Sequence, residues 1–313
     1  MSYPGIVFDP EKKIVGSDTY TVYKVRFNSL YSLYEYLKSN PPTNDIVFHK
    51  LHSETGDFDF AGKPYFEAVE DLVSIVDPGY DEFLKLQKSI NGAKNIKTHK
   101  YRLVRTVAGG RLNNVAYCVG SPLCYESEEL ISKPKFIQIH VTLSYVFTTS
   151  KSQVLNRAII ITNIVKALED AGYNVGLNTF ELSEEEDELV YILVQIKKYG
   201  ERINLQRLYK TLCHVEFLRR ILFRILETTD VKCDWENGYG CTCSEQFTRK
   251  FLDFDDNDIF FDQPREMGIK GRDLADDFEN AIKHLQLEDK IDVQKVKEEF
   301  SNSVKSLKKV KGY

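Results

Sequence analysis

Residues 136–145 read FIQIHVTLSY, and residues 154–172 read VLNRAIIITNIVKALEDAG. In the first stretch every second residue is apolar, which predicts a β-strand. In the second the apolar residues recur three or four positions apart, which predicts a helix. Gly172 can end this helix because glycine accepts the left-handed conformation common just past a helix C-terminus. A strand followed by such a helix predicts the centre of an α/β fold.

Two further strands and a second long helix are predicted after this pair. The strands cover residues 173–182 and 189–197, and the acidic residues 184–188 join them. The second strand is a continuous apolar run, which is typical of a strand covered on both faces. We expect it to be either the hairpin partner of the first strand or an antiparallel edge strand. The helix covers residues 205–227, and Asn204 caps it.

The predicted fold class of the whole chain is α/β, with α+β as the alternative, and helices pack on a central sheet. Residues 1–135 are predicted to form an N-terminal α+β region with an irregular glycine-rich loop. Residues 136–245 form the α/β core, and residues 246–313 form a loop followed by C-terminal helices. These last helices are predicted over residues 273–287 and 293–310.

Length, charge and composition exclude several classes of protein. The chain has 313 residues and a net charge of -5, so it does not coat nucleic acid through bulk positive charge. It shows no secretory leader and no apolar stretch of the roughly 20 residues that a membrane span needs. The six cysteines are therefore expected to be reduced thiols of a cytosolic protein.

No motif of an enzyme or a cofactor site is evident. The sequences GxSxG, GxxxxGK[ST] and GxGxxG do not occur. Cys233, Cys241 and Cys243 are weak candidates for a zinc site because they lack the CxxC pairs typical of such sites. The acidic residues 253–258 are a weak candidate for a divalent cation, since the glycine and terminal glutamate of a calcium loop are missing. We therefore expect no cofactor and favour a protein without catalytic activity.

The end of the predicted central strand is a second place for a ligand, because open α/β sheets bind ligands at the carboxyl ends of their strands. His140, Thr142 and Ser144 occupy this end, and hydroxyl residues follow at positions 148–150. A von Willebrand type A domain holds a divalent cation here with an aspartate and two spaced serines. No aspartate is present, so the hydroxyl residues are expected to cap the following helix.

Three arginines lie close together in the predicted helix over residues 205–227. Glu216, Arg220 and Arg224 are four residues apart and share one face, and Arg219 lies beside them. Guanidinium groups bind phosphate and carboxylate groups well. The arginines are therefore candidates for contacts with an acidic partner, and the alternative is that they hold the helix in the core.

Seven short segments, in order along the chain, carry a family resemblance. They are FAGKPYFEA at 60–68, DPG at 77–79, GGRLNNVAYCVGSPLC at 109–124, the strand from residue 137, the helix at 157–172, residues 214–227 around FLRRILF, and GYG at 238–240. Together they resemble an uncharacterised family encoded by tailed phages and prophages. The chain departs from the family pattern at Tyr125, where Met is common, and at residues 215–216, where Pro is common. The resemblance implies a phage-encoded protein of the bacterial host cytoplasm, with a von Willebrand A-like core that holds no metal.

The leading functional hypothesis is a non-enzymatic protein that binds a macromolecule, most simply another protein of the phage or the host. Its predicted contact residues lie in the glycine-rich loop and the arginine helix: Arg111, Asn113, Asn114, Arg219, Arg220 and Arg224. A nucleic-acid-binding or processing role is the first alternative, because of these arginines, the basic residues 97–105 and the lysine-rich C-terminus. A metal-dependent hydrolase and a virion structural protein are the others, and no contact with a membrane is expected.

Overall fold

The computed structural model describes residues 10–42, 62–74, 79–81, 83–84, 101–130, 135–145, 149–170, 172–185, 187–228, 243–252, 258–263 and 279–283. The strands in these ranges are β1 Glu11–Val15, β2 Asp18–Phe27, β3 Tyr101–Thr106, β4 Arg111–Leu112, β5 Tyr125–Leu130, β6 Lys135–Thr142, β7 Tyr173–Glu185, β8 Glu188–Lys197 and β9 Ile259–Phe261. The helices are α1 Leu30–Ser39, α2 Tyr65–Asp71, α3 Asn114–Cys118, α4 Lys151–Asp170, α5 Leu205–Leu212, α6 Phe223–Thr228 and α7 Glu245–Leu252, and a π-helical segment, Phe217–Leu222, directly precedes α6.

Six strands form one mixed sheet in the order β1-β2-β8-β7-β6-β9. β6 is parallel to β7 and to β9, and β8 is antiparallel to β7. β2 is parallel to β8, and β1 forms a hairpin with β2. The predicted α/β class, with helices packed on a central sheet, is confirmed. All three predicted regions of the chain contribute strands to this one sheet.

The apolar strand predicted over residues 189–197 is β8, which is the hairpin partner of β7. The alternative of an antiparallel edge strand is wrong, because β2 pairs with the other side of β8. Val190, Ile192 and Val194 on one face are at most 1% exposed, and Leu189 and Leu193 on the other face are 0% and 8% exposed, as expected for an inner strand that is covered on both faces.

Helix α4 supplies a large part of the main core. It begins with a reciprocal cap, in which Ser150 N donates to Gln153 Oε1 at 2.9 Å and Gln153 N donates to Ser150 Oγ at 3.3 Å. The prediction that the hydroxyl residues after β6 cap this helix is confirmed. Ile159, Ile161 and Leu168 are fully buried, and each such side chain contributes about 1.5–3 kcal/mol to folding.

The helix predicted over residues 205–227 is interrupted, which corrects that prediction. Helix α5 ends just before Cys213, and the chain continues through His214 into the π-helical segment and α6. Cys213, His214 and Val215 all have low helix propensities, so the backbone loses little by leaving the helix there. π-helical segments frequently occur at functional sites, and this one follows the residues that line the cleft described below.

Several sequence features lie outside the described residues. They are Cys233, Cys241, residues 238–240, residues 253–257 and the predicted helix over residues 293–310. The helix predicted over residues 273–287 is described only at residues 279–283, which are helical. Ile282 is fully buried in the main core, so this part of the C-terminal region packs against the sheet domain.

Candidate functional site

A second, smaller sheet has no buried side chain among its described strand residues. It is antiparallel, with the strand order β3-β5-β4, and α3 lies between β4 and β5 along the chain. We call residues 101–130, which contain these elements, the arm. Among the described side chains from residue 103 to residue 127, Ala116 alone is buried. The arm therefore has almost no core of its own.

Large apolar side chains are exposed along the arm. Val115, Tyr117 and Val119, on and just after α3, are 73%, 64% and 75% exposed. Further exposed apolar residues are Leu103, Val107, Leu112 and Leu123. Clustered apolar surface of this kind marks protein–protein or ligand contacts more often than single exposed residues do.

Three of the predicted contact residues lie together at the start of α3. Arg111 and Asn114 are exposed. Asn113 holds the local fold, because its Oδ1 accepts a hydrogen bond from Ala116 N at 2.9 Å and its Nδ2 donates to Glu126. The structure therefore places these residues beside the exposed apolar side chains of the arm.

The other three predicted contact residues are buried. Arg219, Arg220 and Arg224 are 2%, 5% and 6% exposed. Arg220 Nε donates to a carbonyl just before α2 at 3.0 Å, and Arg224 donates to two carbonyls just after α1 at 2.8 and 2.9 Å. The guanidinium groups of Arg220 and Arg224 therefore join the helix to the N-terminal segments, and Arg219 Cζ lies 5.3 Å from the centroid of the Tyr145 ring. A direct contact of these arginines with a partner stays a prediction.

A cleft of about 410 Å³ opens beside the N-terminus of α4. Among the described residues it is lined by Lys63, Phe83, Lys151, Leu155, Tyr209 and residues 213–216, with Gly62 and Gly79. We call this cavity the cleft. Its residues come from four separate parts of the chain, so no single motif marks it in the sequence. Two segments of the family resemblance did mark this region of the chain. Gly62 of FAGKPYFEA and Gly79 of DPG both border the cleft.

His214 and Glu216 form a polar pair in the cleft wall, with His214 Nδ1 2.9 Å from Glu216 Oε1. Burial acts to raise the pKa of the Glu216 carboxyl, but the hydrogen bond and charge of His214, together with Lys63, outweigh burial and lower that pKa. The Tyr209 ring packs edge-on against His214, with 4.6 Å between ring centroids. Glu216 is therefore an ionised acid at neutral pH. The imidazole ring of His214 is held by Glu216 on one side and by the Tyr209 ring on another.

The carboxyl end of β6 faces an acid from the neighbouring strand. Ser144 Oγ donates to Glu181 Oε2 at 2.5 Å, and Ser183 Oγ donates to Oε1 at 3.0 Å. Glu181 is fully buried, and burial raises the pKa of its carboxyl to about 7, although the two hydrogen bonds act in the opposite direction. No local pattern marks Glu181 in the sequence, because this acid lies on β7 and meets Ser144 only in the folded sheet.

We expect Glu181→Gln to stabilise the protein at pH 8 by about 1–2 kcal/mol. The folded state holds the Glu181 proton more tightly than the unfolded chain, so ionisation of this acid reduces stability as the pH rises from about 4.3 to about 7. Glutamine keeps the shape without the buried charge. Urea unfolding followed by circular dichroism at pH 8 and pH 4.5 measures the effect, which shrinks at the lower pH. The exposed Glu35→Gln is the control, and an equal gain at both pH values contradicts the prediction.

The described residues contain no group of three or more His, Cys, Asp or Glu side chains arranged to hold a metal ion. Cys243, the described member of the predicted zinc cluster, has its Sγ 3.6 Å from Leu182 O. In the described part of the chain, no helix combines the length and apolar character needed to cross a membrane.

Comparison with known proteins identifies one family. A family model described as "Domain of unknown function (DUF7192)" matches residues 10–289, which is most of the chain. Neither a curated protein nor a solved structure matches the sequence. The matched region contains both the arm and the cleft.

Proposed function

We propose that this chain, which belongs to the DUF7192 family of domains of unknown function, binds another protein through the apolar surface of its arm. The observation that carries the proposal is the exposure of seven large apolar side chains within residues 103–123. Removing apolar surface from water contributes roughly 25 cal/mol per Å². A partner that covers the arm therefore gains affinity that the arm cannot obtain by packing on itself.

The charged residues of the arm indicate the chemistry of the partner. Residues 101–130 contain three arginines and no lysine, and protein interfaces are enriched in arginine and tyrosine but depleted in lysine. Arg105 and Arg111 are exposed on the arm that carries the apolar residues. Glu126, Glu128 and Glu129 balance the three arginines of the arm, so these features favour a partner surface with an apolar centre. We propose a protein other than a second copy of this chain as the partner, and self-association is one outcome of the test below.

The test is a double substitution, Val115→Asp with Val119→Asp, in the full chain. The wild-type chain is used for affinity capture from cells that express it, and each recovered protein is purified and titrated against both forms. We expect the double variant to bind the partner at least 100-fold more weakly, because truncated hot-spot residues each cost about 2 kcal/mol or more. Ile14→Asp, at a 71% exposed apolar residue of β1, is the matched control and keeps full affinity.

Three outcomes contradict the proposal. A recovered protein that binds the double variant as tightly as the wild type shows that the arm is not the contact. Self-association that the double substitution abolishes identifies a second copy as the occupant. Binding that disappears after nuclease treatment and falls steeply with salt supports the nucleic-acid alternative instead.

We also propose that the chain is phage-encoded, acts in the cytoplasm of the bacterial host and has a von Willebrand A-like core without metal. The seven ordered segments that resemble the phage and prophage family support the origin. The succession of β6, a hydroxyl-rich loop without aspartate and α4 supports the core. Neighbouring genes on the source genome test the origin. Mass spectrometry of purified particles tests the alternative of a virion structural protein.

A further inference from the structure

We propose that the cleft binds a small molecule that carries an apolar ring and an anionic group. This site is separate from the arm and goes beyond protein binding. Its volume of about 410 Å³ lies within the range of about 300–1,000 Å³ that is typical of small-molecule sites.

One part of the cleft is an aromatic wall that suits a ring. The rings of Phe83 and Tyr209 pack with 5.3 Å between their centroids, and Tyr80 stacks on Phe83 at 6.2 Å with an interplanar angle of 22°. Leu155 of α4 adds an aliphatic side chain to the lining. Aromatic side chains prefer offset-stacked or edge-to-face partners, so these residues favour a flat apolar group over an extended polar one.

The charges around the cleft favour an anion. Lys63 and Lys151 both line it, and Glu216 is the one acid among its described lining residues. Glu216 Oε1 lies 2.9 Å from His214 Nδ1, so this carboxylate already has a hydrogen-bond partner within the wall. Lys63 also contacts Asp71, which is not part of the lining. Two lysines and one carboxylate thus line the cleft.

Helix α4 adds to the positive field of these lysines. Lys151 is its first residue and is exposed, and the N-terminus of a 20-residue helix carries a partial positive charge. The aromatic wall and the two lysines thus come from different parts of the chain and border a single cavity. A ligand that places its aromatic ring against this wall and its anionic group near Lys151 contacts both features.

Phosphate and carboxylate groups share the chemistry that these lysines recognise. Calorimetric titration of the full chain with phenyl phosphate and with benzoate distinguishes the two anions. Inorganic phosphate lacks the ring, and benzyl alcohol lacks the charge, so these two compounds are the comparators. We expect one binding site for at least one aromatic anion, with an affinity at least fivefold higher than that of either comparator. The tighter of the two aromatic anions identifies the preferred charged group.

Variants locate the site. Leu155→Trp fills the cleft and is expected to abolish binding of the aromatic anion. Lys151→Glu, at an exposed position, is expected to weaken the binding at least fivefold and to leave benzyl alcohol unaffected. Lys12→Glu, at an exposed lysine of β1, is the charge-matched control with unchanged affinity. Thermal melting of each variant verifies that it is folded.

The proposal is overturned if none of the four compounds binds, or if inorganic phosphate binds as tightly as phenyl phosphate. It is also overturned if folded Lys151→Glu binds the aromatic anion as the wild type does. The Val115→Asp and Val119→Asp double variant is expected to bind the anion normally. A failure of the arm proposal and a failure of the cleft proposal are therefore separate results.

Discussion

Arg157→Ala is expected to lower the free energy of unfolding by about 3–5 kcal/mol. Arg157 is fully buried on α4, and its Nη1 donates to Thr142 O and to Asp262 O, both at 2.9 Å. Thr142 is the last residue of β6 and Asp262 directly follows β9, so one side chain joins the carboxyl ends of two parallel strands. Alanine leaves a large cavity and removes the donor of both carbonyls.

The buried charge of Arg157 makes a second variant informative. Burial lowers the pKa of its guanidinium to about 10, so the group stays charged at neutral pH, and its carbon Cζ lies 5.9 Å from the centroid of the Tyr145 ring. Arg157→Met keeps much of the side-chain volume without the charge. Since burying a charge is costly, we expect methionine to lose less than half as much stability as alanine.

Urea unfolding of the three proteins, followed by circular dichroism, measures both losses. A loss below about 1 kcal/mol for Arg157→Ala is inconsistent with a buried side chain that joins two strands. Equal losses for alanine and methionine mean that the hydrogen bonds to the two carbonyls dominate over packing. That result contradicts the expectation that methionine preserves much of the stability by filling the space of Arg157.

Gly62→Ala is expected to lower the free energy of unfolding by about 2–3 kcal/mol. Gly62 has a φ of +74°, and a Cβ at this position would overlap Glu216 Oε2. The substitution therefore adds backbone strain and also displaces the Glu216 carboxylate from His214. Gly200→Ala is the matched control, because Gly200 has a φ of +73° with open space around its added Cβ. We expect it to lose only the strain, about 1 kcal/mol.

The pH dependence gives Gly62→Ala a second readout. The pKa of Glu216 is lowered in the folded state, so this acid contributes stability above its ordinary pKa of about 4.3 and loses that contribution as the pH falls. Displacing the carboxylate from His214 reduces the contribution. The difference in stability between wild type and Gly62→Ala should therefore shrink on acidification, whereas the difference for Gly200→Ala should not. Equal losses for the two glycine variants contradict the proposed overlap with Glu216.

Local sequence patterns predicted much of the secondary structure of the sheet domain. The strands β6, β7 and β8 and the helix α4 follow from apolar periodicity, and the cap at Ser150 and the stop at Gly172 follow from turn chemistry. The choice of Arg111 and Asn114 as predicted contact residues also came from a local signal, the glycine-rich loop, and both are exposed. Such signals act over a few residues, and the tertiary fold did not override them here.

The sequence failed where the outcome depended on neighbours far along the chain. The position of β8 between β7 and β2 required a parallel pairing with the N-terminal region. The sequence left open whether Arg219 contacts a partner or holds the helix in the core. The side chain is buried, and a helical pattern does not state which elements cover each face. The break at Cys213 reflects low helix propensity that a continuous apolar pattern concealed.

The sequence by itself determined the strands β6, β7 and β8, the helix α4 with its cap and stop, and the α/β class of the fold. The tertiary structure alone decided that Gly62, Phe83, Lys151 and His214 border one cleft, and that the arm keeps its apolar side chains exposed. The physical reason is the distance along the chain over which each kind of interaction acts. Periodicity and caps arise between residues a few positions apart, whereas a cavity or an uncovered surface exists only once distant segments have packed, and their packing depends on the whole chain.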